Sequence, residues 1–131
     1  MTPFTTRLTT RWADNDIYGH VNNVTYYAYF DSIVNLFLIE HGLDIHGGSI
    51  IGLIVASQCE FLAPLAYPDE LEGTMRVAKL GTSSVTYEVT IAKVGAPLAA
   101  RATMTHVFVD RETRRPTPIP PNLRAALEQL R

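Results

Sequence analysis

The sequence holds a single cysteine, Cys59, so no disulfide can close within the chain. This excludes the stapled architecture of small secreted domains and fits a reducing compartment. An excess of one charge sign is missing too: 11 Lys and Arg against 13 Asp and Glu leave a net charge of −2. Nucleic acid or an anionic membrane surface would need a basic footprint, and there is none. No apolar run approaches the length of a bilayer span. The opening MTPFTTRLTTRW lacks the apolar core of a secretion signal, and the expected location is cytoplasmic. The four histidines, His20, His41, His46 and His106, show no metal-ligand spacing. GxSxG, P-loop and dinucleotide fingerprints are all absent. No metal, redox cofactor or nucleotide hydrolysis is therefore expected.

What is present is 47% hydrophobic residues in a chain of 131, which suits one domain over residues 1–131 with a real core. That length is short for an enzyme enclosing a substrate alone, so a homo-oligomer with sites at its interfaces is attractive. The organising stretch is Asp14 to Gly42, DNDIYGHVNNVTYYAYFDSIVNLFLIEHG. Its first half is polar. Its second half is apolar on nearly every face, which predicts a buried helix. Asn22 is a favoured N-cap and Gly42 a terminating residue, so the helix is expected to run to His41.

Around this helix the sequence predicts strands. Phe4 to Trp12 alternates with period two, placing Phe4, Thr6, Leu8, Thr10 and Trp12 on one face. A loop is expected over residues 42–52. Further strands are expected at Leu53–Leu62, Leu71–Leu80, Ser84–Val94 and Leu98–Asp110, the last three joined by turns at residues 81–83 and 95–97. Short turns imply antiparallel pairing, and one long helix against one antiparallel sheet is an α+β architecture. Residues 115–121 read as a proline-rich linker before a short amphipathic helix carrying Leu123, Leu127 and Leu130, docked on the surface.

Three segments, RWADNDIYGHVNNVTYYAYFD (Arg11–Asp31), KLGTSSVTYEV (Lys79–Val89) and VFVDRETRRPTPIP (Val107–Pro120), together with the element order, resemble the hot-dog-fold thioesterases of the 4-hydroxybenzoyl-CoA thioesterase type. The resemblance implies a long central helix wrapped by a curved five-stranded antiparallel sheet. It also implies hydrolysis of an acyl-CoA thioester by a homodimer or dimer of dimers, with CoA entering only as part of the substrate. The family's loop acid falls on Asp16, and its oxyanion donor on the backbone N–H of Asn23. Ile17 stands where the benzoyl-type members carry proline, which points away from an aromatic substrate. A related branch carries its carboxylate on the helix, at a slot matching Asp31.

A thioester carbonyl needs a nucleophile or an activated water, and something to hold the developing oxyanion. A carboxylate beside unpaired N–H groups in a helix's first turn supplies both. Asp16 is either that carboxylate or an Asx-type residue ordering the loop. Asp14 reads as a loop or capping residue. Gly19 permits a positive φ or close backbone approach, and His20 stabilises the loop or lines the substrate. Asp31 either reaches a neighbouring subunit's site or pairs with Asn35. Tyr26, Tyr27 and Phe30 are candidates for an acyl pocket or simply for core. Lys79, Gly81, Thr82, Ser83 and Ser84 form a polar turn that can meet a phosphate of CoA, or a plain hairpin. Two other functions compete: a hot-dog dehydratase or hydratase, which would want a histidine paired with an acid, and a non-catalytic acyl-binding protein.

Overall fold

The computed structural model describes residues 2–131. Asn22 starts the long helix as its sequence suggests, its side-chain oxygen accepting the Val24 N–H at 2.9 Å. Helix α1 runs Asn23–Glu40, and Gly42 ends it at φ +103°, a value that costs glycine little. Five strands surround it: β1 (Phe4–Thr9), β2 (Ile50–Phe61), β3 (Glu70–Leu80), β4 (Ser84–Lys93) and β5 (Leu98–Asp110). They form one antiparallel sheet in the order β1-β3-β4-β5-β2. Bulges near Ile54, Val77 and Ile91 interrupt the ladders and bend the strands. The sheet curves around α1, and this is the hot-dog fold.

Alternation fixes which side of each strand meets the helix. Leu71, Met75 and Val77 of β3, and Val85, Tyr87, Val89 and Ile91 of β4, are buried with Phe30, Ile33, Val34 and Leu38 of α1. Gly73 is the crossing point: a β-carbon there would lie 2.4 Å from Ile33 Cδ1. Only a residue without a side chain lets the helix approach this closely.

Four expectations are corrected. Strand β1 stops at Thr9, because Thr10 turns away to bond the Asp69 carbonyl through both its N–H and its hydroxyl. Trp12 then sits 80% exposed in a single 3₁₀ turn and takes no place on a sheet face. Strand β2 begins at Ile50 and includes Gly52, which the sequence assigned to a loop. Helix α1 is buried on one side only: Val24, Ala28, Leu36 and Ile39 face outward and are exposed. Lastly, the tail is part of the core. Ile119, Leu123, Leu127 and Leu130 are buried. Thr117 donates to the Phe108 carbonyl, and Asn122 of helix α2 (Pro121–Glu128) donates to the His41 carbonyl at the exit of α1.

Candidate active site

Between β1 and α1 the chain carries two carboxylates two residues apart. Asp14 is 2% exposed. One oxygen accepts the Arg11 N–H at 2.8 Å and the Tyr29 hydroxyl at 2.6 Å; the other accepts the Arg11 guanidinium at 3.1 Å. Burial pushes the Asp14 carboxyl up, but the Tyr29 hydroxyl and Arg11 outweigh it, and the group sits below the usual carboxylate range. Burial, then the hydrogen bond it donates to Asp14, then the Asp14 charge, push the Tyr29 hydroxyl far above its ordinary value. Asp14 is thus the loop anchor that its sequence position suggests. Its tie to Tyr29, fifteen residues on, has no local signal in the sequence.

The Asp16 loop closes on itself. The Asp16 N–H donates to the His20 carbonyl at 2.9 Å, and the Gly19 N–H to the Asp16 carbonyl at 3.0 Å. Gly19 sits at φ +82° to allow the turn. The half-buried Asp16 carboxylate accepts the Tyr18 N–H at 2.9 Å on one oxygen and the Asn22 side-chain amide at 3.2 Å on the other. One residue further, the Asn23 N–H has no hydrogen-bond partner among the described residues. Asn23 lines an apolar cavity of about 340 Å³ with Tyr26, Phe61, Leu62 and Pro64. Tyr26 meets Phe61 edge to face at 5.1 Å.

Asp16 lines a second cavity, of about 280 Å³, with Trp12, Asn15 and Gly19. In one protomer, then, the carboxylate and the free N–H are close in the chain but open into different cavities. The single chain does not bring them into one volume: Asn23 shares its cavity with His20 and Val21, Asp16 shares its own with Gly19. His20 is exposed, lines the Asn23 cavity and makes no side-chain hydrogen bond with an acid among the described residues.

Other candidates sit elsewhere. Phe30 is 0% exposed and belongs to the core, so it lines no pocket. Tyr27 is half-buried and packs edge to face on Phe30 at 5.9 Å. Asp31 is exposed, on the outward side of a helix whose apolar faces predict burial all round. The Asn35 amide bonds the Asp31 backbone carbonyl, leaving the carboxylate without that partner. Partial desolvation on the helix surface raises its carboxyl above the usual range. The turn at residues 81–84 follows the C-terminal end of β3, whereas its N-terminal end, at Glu70, pairs with Thr9 on the Asp16 side; the eleven-residue strand between them is about 33 Å long. Its backbone oxygens are taken: Gly81 and Thr82 accept from Arg124, and Ser83 accepts from Phe108. Lys79 beside it is exposed. Among the described residues no three His, Cys, Asp or Glu gather as a metal site, and no helix is long and apolar enough to cross a membrane.

The model of a thioesterase-like superfamily matches residues 10–127. The fold superposes on the PA5185 protein of Pseudomonas aeruginosa strain PAO1 with a TM-score of 0.95 and 53% identity, covering 98% of this chain and 91% of that one. It also superposes on Slr0204, a 1,4-dihydroxy-2-naphthoyl-CoA thioesterase from Synechocystis, at 0.88 and 22% identity, with 98% and 97% covered. A curated relative, the uncharacterized YsmA of Bacillus subtilis, is 24% identical over 83 residues, 63% of this chain. The matched part spans only about half of that relative, 56% of its length.

Proposed function

Because the chain belongs to the thioesterase-like superfamily, we propose that it hydrolyses an acyl-CoA thioester to the free acid and CoA. The observation that carries this reading is the pairing of Asp16 with the first turn of α1. A carboxylate with only two protein donors is bonded to the Asn22 side chain, next in the chain to an N–H that has none. The separate cavities that the two groups line become one site when a second copy closes over them. The thioester oxygen takes the Asn23 N–H, which polarises the carbonyl and holds the oxyanion. Asp16 then acts in one of two ways. As general base it removes a proton from water, and the hydroxide adds to the carbonyl carbon. As nucleophile it forms a mixed anhydride that water opens. In both routes the C–S bond breaks and the thiolate leaves unaided, since a thiol is a good acid. The CoA carried by the substrate is the only cofactor required.

The acyl group enters the apolar cavity beside Tyr26 and Phe61. A second copy of the chain completes the site. The outer edge of β2 is unpaired and carries Ile54 (39% exposed) and Val55 (61% exposed), and the outward face of α1 adds Val24, Leu36 and Ile39. Two copies joined edge to edge cover this surface and shield the edge. They also bring distant elements, such as the turn at residues 81–84 with Lys79, within reach of a neighbour's CoA. The single cysteine fits a cytoplasmic location.

A thiol-release assay over a panel of aliphatic and aromatic acyl-CoAs tests the proposal. Wild-type protein is expected to release thiol and Asp16→Asn to fail with its fold intact. A protein inert on the whole panel sinks the reading. So does an Asp16→Asn variant as active as wild type.

A further inference from the structure

Asn22 uses all of its hydrogen-bonding groups at once. Its side-chain oxygen accepts the Val24 N–H at 2.9 Å, its side-chain amide donates to Asp16 Oδ2 at 3.2 Å, and its backbone N–H donates to the Asp14 carbonyl at 3.0 Å. The first of these bonds caps a helix, which serine or aspartate would do about as well. The second is one that aspartate, an acceptor only, cannot make, and that the shorter serine hydroxyl does not reach while it caps: it ties the loop carboxylate to the helix start with a donor. A carboxylate held at one oxygen by the Tyr18 N–H alone rotates about its side-chain bonds; a second donor at the other oxygen fixes its plane.

We infer that Asn22 is a positioning residue, orienting the Asp16 carboxylate toward the first turn of α1 while capping that same helix. This rests on Asp16 being the acid of the reaction proposed above. A single amide thereby couples the geometry of the acid to the geometry of the oxyanion donor. Asp16 takes part in no ion pair among the described residues, so the amide of Asn22 is its one side-chain partner there.

Two substitutions separate this role from capping. Asn22→Ser keeps a capping oxygen but removes the amide, and its hydroxyl, one bond shorter, falls short of Asp16 Oδ2, which the amide reaches only at 3.2 Å. It is expected to lower kcat about tenfold, the scale of one charge-assisted hydrogen bond, with KM and Tm close to wild type. Asn22→Asp keeps the cap and improves the charge at the helix N-terminus, yet sets a like charge against Asp16. Its Tm is expected to hold or rise while the acid limb of its kcat/KM profile moves up by about one pH unit.

A residue that only capped the helix would leave kcat and the acid limb alone. Wild-type kcat in Asn22→Ser, or an unmoved acid limb in Asn22→Asp, overturns the inference while an inactive Asp16→Asn keeps the acid in place. If Asp16→Asn remains active, the acid and its positioning residue fall together.

Discussion

Asp14 and Asp16 share a loop, a residue type and a distance of two positions, yet the fold treats them oppositely. Asp14 is sealed from water and saturated by Arg11 and Tyr29. Asp16 is half-buried, holds two donors and opens onto a cavity. A saturated carboxylate has no lone pair to spend on a substrate, and a buried one sees no water to activate. The loop is thus built as a rigid post and a working arm. The post belongs to the stability of the fold, and the arm is free to serve chemistry.

The sharpest way to break this contrast is to neutralise each acid in turn. Asp16→Asn is expected to cut thioester hydrolysis by about 10²- to 10⁴-fold, the usual share of a general base, with little change in Tm. Asp14→Asn is expected to do the reverse. It leaves the Tyr29 hydroxyl and the Arg11 N–H competing for a neutral amide, and costs about 3 kcal/mol of stability by chemical denaturation. Equal losses of stability from the two variants would erase the distinction.

Acid titration extends the comparison to a second buried polar group. His106 bonds the Tyr87 hydroxyl at 2.9 Å inside the core, and burial holds its imidazole down to about 4 against an ordinary 6.5. A depressed histidine is neutral in the fold, so its contribution is complete above pH 6.5 and drains away as pH falls toward 4. The full swing is about 3 kcal/mol. Asp14, also depressed, loses its contribution only below the ordinary carboxylate range. Stability is therefore expected to fall in two separate stages on acidification. In His106→Gln the upper stage should disappear from a denaturation series across pH 4–7, while the lower one survives.

Smaller effects sharpen the picture elsewhere. Gly73→Ala forces Ile33 aside at the helix crossing and is expected to cost about 1–3 kcal/mol by thermal melting. Asp31→Asn removes an exposed charge without a side-chain partner. It should change stability by less than about 0.5 kcal/mol, and activity hardly at all unless Asp31 serves a neighbouring subunit.

Local signals were legible. Asn22 and Gly42 marked both ends of α1, and clean alternation marked β4, because caps and strand faces depend on residues a few positions apart. What the sequence hid was tertiary. Thr10 and Trp12 continue the alternation of β1 on paper, but Asp69 and Asp14 draw the chain off the sheet. Gly52 looks like a loop residue until it is seen paired with Phe108 and lying against the His106 ring. The prolines of the tail suggested a linker, yet Thr117 and Ile119 bond back to Phe108 and Thr82. At the site, Asp16 and the Asn23 N–H were named from motif and position, whereas the Asn22 bond between loop and helix depends on rotamers no spacing reveals. Phe30 falls to the second of its two readings: an aromatic near the site, but turned wholly inward as core.

Just past the C-terminal helix, the Leu130 carbonyl accepts a main-chain bond from the sheet, from the Val77 N–H at 3.0 Å. It falls beside the bulge of β3, where that amide leaves the regular ladder. Deuterium uptake at Val77 therefore reads the seating of the tail. The amide stays dark to solvent while residues 121–130 are docked, and brightens whenever they lift, well before the sheet around α1 gives way.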